Sequence, residues 1–344
     1  MKPLVSILIP AYNAEAWIAE TIGSATGQTW PRKEVIVVDD GSRDLTLAIA
    51  RRFSSKEVLV VTQKNQGAAS ARNHALSLSQ GDFIQWLDAD DLLSPDKVEK
   101  QIEAAAEGGN NRTLLSSGWG YFAYRSERAE FTPTSLWCDL SPVEWLLRRM
   151  REKLFMQTAT WLTSRELAQA AGPWDVRLLS DDDGEYFCRV ILASDGIRFV
   201  PGPKVYYRIT PSSRLSHVGM SDKKKDALLL SMQLHVEHIR SLEDSDRVKA
   251  ACLIYLQNWL HHFYPERPDL VAELEKLAVS LGGKLQVPRL RWKYAWIKPL
   301  FGWGPAKTAQ IRLPQLKASF VRSWDKVMYE LEKGSLRNIR NKRN

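Results

Sequence analysis

The chain has 344 residues, 44% of them hydrophobic and 26% charged, which is typical of a globular protein with one large domain or two unequal ones. Three widely spaced cysteines exclude a disulfide framework, and the apolar runs are too short for membrane-spanning helices. The first residues lack the pattern of a signal peptide. We therefore expect a cytoplasmic protein, or one peripheral on the cytoplasmic face of a membrane.

Strands and helices alternate strictly over the first hundred residues. Apolar runs predict strands at about 4–9, 34–38, 58–61 and 83–87, with helices at about 14–25, 45–53, 68–78 and 95–106. Strands that are apolar on both sides predict a parallel sheet covered by helices on both faces. In such sheets ligands bind beyond the carboxyl ends of the strands.

The pattern becomes less regular after this point. We predict strands at about 113–124, 156–163, 197–200 and 204–208, and helices at about 165–171 and 182–194. Later segments read only as helices, at about 222–241, 245–263, 269–281 and 314–331. The sequence therefore predicts an α/β domain over residues 1–218 and a helical C-terminal region over residues 219–344.

Three carboxylates follow the fourth predicted strand, at Asp88, Asp90 and Asp91. Ser94 and Pro95 already supply the start of the next helix, so the carboxylates are not needed to cap it. Clustered carboxylates favour a hard divalent cation such as Mg²⁺ or Mn²⁺, which commonly binds one or two of them together with substrate phosphates. A solvated loop is the alternative.

The turn after the first strand contains no glycine, which argues against a dinucleotide-binding fingerprint or a P-loop. Instead, four motifs occur in order, and together they resemble the family 2 inverting glycosyltransferases: Val5–Asn13, Val37–Ser42, Asn65–Gly67 with Ala71–Asn73, and Leu87–Asp91. The resemblance covers roughly residues 3–210. It implies a GT-A fold, in which a Rossmann-like, mostly parallel sheet is sandwiched by helices, and a nucleotide-sugar donor, most often a UDP-sugar.

The resemblance also implies a set of donor contacts. Pro10, Ala11, Tyr12 and Asn13 would line the base and ribose, Asn65 and Gly67 would flank the base, and Asp40 would accept a hydrogen bond from the base edge, with Asp39 and Gly41 shaping the turn. Arg72 would pair with Asp40 or reach a phosphate, unless it forms an ordinary salt bridge.

Asp88-Ala89-Asp90 corresponds to the family's Asp-any-Asp element. Asp88 would contact ribose or metal, and Asp90 would bind Mn²⁺ or Mg²⁺ directly. Arg208 or Arg214 would neutralise the diphosphate and His217 would complete the metal shell, unless these residues belong to a solvated polar loop.

An inverting transfer needs a base that removes the proton of the acceptor hydroxyl. The resemblance places this base at Asp183, with Asp182 as its acidic neighbour, although Asp181 leaves the register open by one residue. The alternative is that these acids only favour a helix N-terminus. Trp119, Tyr121 and Trp161 would stack on an acceptor sugar, unless they are core residues.

The net charge of +8 comes from the last sixty residues, since 284–344 contain fifteen Lys or Arg and three Asp or Glu. Tryptophans interleaved with these basic residues suit an anionic membrane surface, where a lipid-linked acceptor would lie. A basic helical cap on the domain is the alternative.

We expect a metal-dependent transferase that adds a sugar to a saccharide or lipid-linked acceptor in cell-surface polysaccharide synthesis. A catalytically silent nucleotide-sugar-binding protein is one alternative. A nucleic-acid-binding protein is a weaker one, because it leaves the acidic clusters unexplained, and we expect no nucleic-acid partner.

Overall fold

The computed structural model describes residues 2–108, 111–209 and 221–341. The predicted alternation at the start of the chain is confirmed, with bounds shifted by at most four residues. The elements are β1 Val5–Ala11, α1 Ile18–Thr26, β2 Lys33–Asp39, α2 Thr46–Arg51, β3 Val58–Thr62, α3 Ala68–Leu78, β4 Phe83–Trp86, β5 Leu92–Leu93 and α4 Lys97–Gly108.

The next part of the chain adds two long strands, two strands of two residues and three helices. Its elements are β6 Thr113–Phe122, β7 Glu130–Phe131, α5 Pro142–Glu152, β8 Thr163–Ser164, α6 Arg165–Ala171, α7 Asp182–Ala193 and β9 Gly196–Arg208. The two strands predicted at 197–200 and 204–208 form one strand, β9, whose pairing with β6 shifts register between Ser117 and Gly118. An irregularity of this kind lets one strand bend without breaking the sheet.

Two sheets carry the fold. The first has the order β3-β2-β1-β4-β8, parallel except for the short strand β8, and the second has the order β5-β9-β6-β7. All seven residues of β1 except Pro10 are buried, as expected for a central strand covered on both faces. The predicted mostly parallel α/β fold is confirmed.

Two local predictions after residue 140 are wrong. Within the segment predicted as a strand at 156–163, Thr158–Thr160 form a 3₁₀ turn, in which the Gln157 side chain accepts a hydrogen bond from the Ala159 N–H, and strand β8 begins only at Thr163. Helix α5 was not predicted, although Ser141 caps its start and Pro142 occupies its first turn.

The C-terminal helices are α8 Asp222–Leu242, α9 Asp246–Trp259, α10 Pro268–Ser280, α11 Trp292–Ala295, α12 Ile297–Phe301 and α13 Trp303–Asn341. Helix α13 is longer than the predicted helix at 314–331 and includes it. Buried side chains of α8, α9 and α10 belong to the same hydrophobic core as the first sheet. Within the described ranges, no helix combines the length and the apolar character needed to cross a bilayer.

Candidate functional site

Three strand ends meet at one edge of the first sheet. Ala11 of β1 pairs with Asp39 of β2, and Leu8 of β1 pairs with Trp86 of β4. One residue further, the Asp40 N–H donates to the Ala11 carbonyl at 2.8 Å. The polar segments that follow β1, β2 and β4 therefore leave the sheet from the same edge.

The segment after β1 is tied to the segment after β2. The Asn13 N–H donates to Ser42 Oγ at 3.0 Å, and Asn13 Oδ1 accepts from the Arg43 N–H at 2.9 Å. Asn13 has a φ of 49°, a left-handed conformation that asparagine tolerates. Ala11 is buried and Pro10 half-buried, whereas Tyr12 is 46% exposed. Tyr12 is thus the ring of this segment that a ligand can reach.

Asp40 holds the turn after β3. One carboxylate oxygen accepts from Gln63 Nε2 at 2.8 Å and from the Gln66 N–H at 2.9 Å, and the other accepts from the Gly67 N–H at 2.8 Å. Asn65 Nδ2 donates to the Asp40 carbonyl at 2.9 Å. Asp40, Asn65 and Gly67 therefore lie together as predicted, but both oxygens of Asp40 are used inside the protein.

One carboxylate oxygen of Asp39 lacks a hydrogen-bond partner among the described residues. Its Oδ2 accepts from Thr62 Oγ1 at 3.0 Å and from the Ser42 N–H at 3.3 Å. Its Oδ1 is buried with no hydrogen-bond partner among the described residues. Buried carboxylate oxygens are normally paired, so this atom is a candidate acceptor for a ligand. Asp39 therefore shapes the turn as expected, and its Oδ1 is a second candidate for the base contact expected of Asp40.

Arg72 of α3 connects two acidic segments that are far apart in sequence. Its guanidinium pairs with Asp88 at 2.9 Å and with Asp182 at 2.6 Å, and it lies over the ring of Trp174 at 4.4 Å. Although burial lowers the pKa of Arg72, the charges of Asp182 and Asp88 raise it above its usual value. The predicted partner Asp40 is wrong, and Arg72 lies between the loop after β4 and the start of α7.

The acidic run before α7 divides its side chains between two directions. Asp181 accepts from Ser231 Oγ at 2.6 Å and lies 3.5 Å from Arg149, so it faces the helices behind the site. Asp182 pairs with Arg72, whereas Asp183 accepts from Thr158 Oγ1 at 3.2 Å. This placement separates Asp181 from the other two acids.

Burial alters the proton affinity of both remaining acids. Burial raises the pKa of Asp182 to about 6, against the opposing charge of Arg72. Burial and the charge of Asp181 also raise the pKa of Asp183. A carboxylate with a raised pKa accepts a proton more readily near neutral pH.

The loop after β4 is held in place by hydrogen bonds from other segments of the chain. Asp91 is fully buried and accepts from the Arg208 N–H at 2.8 Å and from Gln157 Nε2 at 2.6 Å. Ala89 is buried, and its carbonyl accepts from Thr21 Oγ1 at 3.0 Å. These contacts fix the loop that carries Asp88 and Asp90.

Arg208 is part of this support, which corrects its predicted role at a diphosphate. Its side chain is fully buried, donates to the Asp90 carbonyl at 2.7 Å and to Glu20 at 2.8 Å, and lies over the ring of Trp17 at 4.2 Å. Such a guanidinium has no path to a phosphate. Glu20 was not singled out from the sequence, and its place within an ordinary helix gave no signal.

A divalent cation fits the donor chemistry of this loop. Asp88 and Asp90 supply the hard carboxylate oxygens that Mg²⁺ and Mn²⁺ prefer, and the side chain of Asp88 is 30% exposed. In the part of the chain that the structure describes, no group of three or more His, Cys, Asp or Glu side chains is placed to hold a metal. His217 and Arg214 lie outside the described residues.

Of the aromatic residues predicted to contact an acceptor, Trp161 is in the core. It is fully buried, and its ring stacks on Phe187 with 5.3 Å between centroids. For Trp161 the alternative, a core residue, is therefore confirmed. Trp119 is also largely buried, and Tyr121 is exposed.

The fold is that of the GT-A proteins. The chain matches a crystal structure of Staphylococcus aureus TarS residues 1–349 in complex with UDP-GlcNAc, with a TM-score of 0.64, 19% identity, and coverage of 90% of this chain and 91% of that chain. This low identity supports a shared fold alone.

Residues 6–156 match the family described as Glycosyl transferase family 2, which confirms the resemblance seen in the four motifs. An uncharacterized glycosyltransferase of Haemophilus influenzae is 43% identical over 136 residues, which are 39% of this chain and 54% of that protein. The chondroitin synthase of Escherichia coli is 39% identical over 141 residues, 37% of this chain and 21% of that protein. The matches thus span about half, or less, of these relatives.

Proposed function

We propose that this protein is a glycosyltransferase that moves a sugar from a nucleotide sugar, most simply a UDP-sugar, to the hydroxyl of a saccharide or lipid-linked acceptor. The observation that carries the proposal is Arg72, buried between Asp88 and Asp182. This ion pair joins the loop suited to a diphosphate with the acids suited to deprotonate an acceptor. The family match over residues 6–156 and the relatives' names support the same activity.

The base of the nucleotide would bind at the edge formed by β1 and β2. Tyr12 offers an exposed ring, and Asp39 Oδ1 is an acceptor without a partner. A uracil N–H is a donor of the kind that this oxygen lacks. Asp40 would act indirectly by holding Asn65 and Gly67 in place.

The diphosphate would lie at the loop after β4. Mn²⁺ or Mg²⁺, held by Asp88 and Asp90, would neutralise charge on the departing diphosphate. Arg72 is already paired with Asp88 and Asp182, so its main effect is to orient both carboxylates.

Asp183 is the proposed base, and the reaction would invert the anomeric carbon. As the acceptor oxygen bonds to the anomeric carbon, its proton passes to Asp183 and the bond from that carbon to the diphosphate oxygen breaks. Thr158 Oγ1 donates to Asp183 at 3.2 Å and so orients the carboxylate. Burial, which raises the pKa of Asp183, makes it a stronger proton acceptor.

The test compares Asp183→Asn with Asp195→Asn, an exposed acid beyond the end of the same helix. UDP release from a panel of UDP-sugars with Mn²⁺, together with UDP binding by calorimetry, provides the readout. Asp183→Asn should lower transfer by about 10²-fold or more and keep UDP binding, as expected for loss of a general base. Undiminished transfer in Asp183→Asn would refute the assignment, and a wild-type protein that binds UDP without transferring would be a silent binder.

The C-terminal region offers a surface for the acceptor's membrane. Four apolar side chains in and between α11 and α12 are between 61% and 80% exposed, namely Trp292, Trp296, Leu300 and Phe301, and Lys293 and Lys298 lie among them. Exposed aromatic side chains with interleaved cations suit an anionic bilayer interface. The proposed location is therefore peripheral, through residues 284–344.

Flotation with phosphatidylglycerol vesicles tests this part of the proposal. Trp292→Ser with Trp296→Ser should reduce binding, whereas Val279→Ser, at an equally exposed apolar residue of α10, should not. Flotation that is equal with phosphatidylcholine and phosphatidylglycerol vesicles would refute binding to an anionic membrane. So would equal flotation of the two variants.

A further inference from the structure

Four aromatic side chains form a continuous cluster at the surface of the second sheet. Trp119 and Tyr121 lie on β6, Tyr207 lies on β9, and Phe155 lies in the segment after α5. Ring centroids are 4.8 Å apart for Trp119 and Phe155, 4.9 Å for Trp119 and Tyr121, and 5.5 Å for Tyr121 and Tyr207. We refer to these four residues as the aromatic platform.

The platform has a buried base and an exposed upper side. Trp119 is only 7% exposed, and it contacts the rings of Phe155, Tyr121 and Tyr207. Phe155 is 44% exposed and Tyr121 is 39% exposed. Grouped exposed aromatic rings held by a buried one mark a binding surface more often than scattered apolar residues do.

Both ends of the platform are close in sequence to residues that form hydrogen bonds in the proposed site. Phe155 precedes Thr158 by three residues, and the Thr158 hydroxyl donates to Asp183 at 3.2 Å. At the other end Tyr207 precedes Arg208, whose N–H donates to Asp91 at 2.8 Å. Residues within three positions of the platform therefore contact the proposed base and the acidic loop.

The nucleotide would lie on the opposite side of this loop. The segments suited to the base follow β1 and β2, and β4 is the next strand of that sheet. The platform belongs to the second sheet, which contains β5, the strand that follows the acidic loop directly. A molecule on the platform would approach Asp183 without displacing the nucleotide.

We propose that the aromatic platform is the acceptor subsite and binds a neutral pyranose ring by stacking the ring's C–H face on Phe155 and Tyr121. This inference rests on the proposed function and specifies its acceptor. No platform residue carries a charge at neutral pH, which favours a neutral sugar, and flat rings match the apolar face of a pyranose.

The experiment measures acceptor binding separately from donor binding. Saturation-transfer NMR with methyl β-pyranosides of glucose, galactose and N-acetylglucosamine, in the presence of UDP and Mn²⁺, should show contacts to ring C–H protons in the wild type. These contacts should be lost in Phe155→Ala and Tyr121→Ala and kept in Phe155→Tyr. With an active acceptor, each alanine variant should raise the acceptor KM about tenfold, which corresponds to about 1.4 kcal/mol, and leave the donor KM unchanged.

Val279→Ala is the control, since it removes an exposed apolar side chain of α10 that lies outside the proposed donor, acceptor and membrane surfaces. An acceptor KM that is the same in Phe155→Ala, Tyr121→Ala and wild type would overturn the inference. The inference would also be overturned if the donor KM rose as much as the acceptor KM. The same holds if, with an octyl glycoside as the NMR probe, saturation transfer reached only the protons of the alkyl chain. A wild-type protein that does not bind UDP at all would instead overturn the proposed function.

Discussion

Replacing Arg72 with methionine should destabilise the protein strongly. The substitution keeps an unbranched apolar side chain and removes the cation that lies 2.9 Å from Asp88 and 2.6 Å from Asp182. It also removes a cation over the ring of Trp174. The two carboxylates would be left without their buried partner.

The magnitude follows from the burial of this pair. Breaking a buried ion pair from one side costs about 3–5 kcal/mol. For a domain of this size, that corresponds to a fall in Tm of roughly 10 °C. The fall should be smaller at pH 5 than at pH 8, because Asp182, whose pKa burial raises to about 6, takes up a proton and removes the unpaired charge.

Differential scanning calorimetry at the two pH values measures both effects. Arg112→Met is the control, because Arg112 also contacts two acids, Glu166 and Asp195, but is 42% exposed, so its Tm should stay close to that of the wild type. A Tm for Arg72→Met within 1–2 °C of the wild type at pH 8 would refute the reasoning. An equal fall at pH 5 and pH 8 would refute the role of Asp182 protonation.

Four further outcomes are expected. The transfer rate should fall below about pH 6, because burial raises the pKa of Asp182 to about 6 and protonation of Asp182 weakens its pair with Arg72; a pH–rate profile that is flat down to pH 5 would contradict this. The same shift makes the folded state bind more protons than the unfolded state between about pH 4 and 6, so this group's contribution to stability falls as pH rises through that range. Tyr329→Phe removes a 2.6 Å hydrogen bond to Glu20 and should cost about 1 kcal/mol in urea unfolding, with an unchanged midpoint as the contrary result. Gly41→Ala should weaken UDP binding in calorimetry, because Gly41 has a φ of 68° and an added Cβ would lie 2.9 Å from the Asn65 nitrogen; wild-type affinity would show that the turn adapts.

Local patterns predicted the elements that local interactions define. The bounds of α3 and α6 match the prediction, because apolar periodicity and end signals lie within each segment. The prediction failed at 156–163, where polar side chains hold a 3₁₀ turn in an apolar setting. It also missed α5, whose cap and amphipathic pattern are visible in the sequence.

The sequence predicted which segments form the site more accurately than which side chains contact each other within it. Asp88, Asp182 and Arg72 were each expected at the site, but Arg72 was expected to pair with Asp40. The choice between Asp39 and Asp40 also required the structure. The sequence does not show which of two adjacent aspartates is free to bind a ligand, because this depends on the hydrogen-bond donors around each carboxylate in the folded protein.

The sequence by itself determined the alternating α/β architecture, the motifs that resemble family 2 and the segments whose polar residues reach the sheet edge. These features depend on short stretches of chain, where strand and helix periods and turn residues act locally. The tertiary structure alone decided that Arg208 is buried, that Asp181 faces away from Asp183, and that Phe155 and Tyr121 both pack on Trp119. Those outcomes depend on packing between segments distant in the chain, which local sequence patterns do not encode.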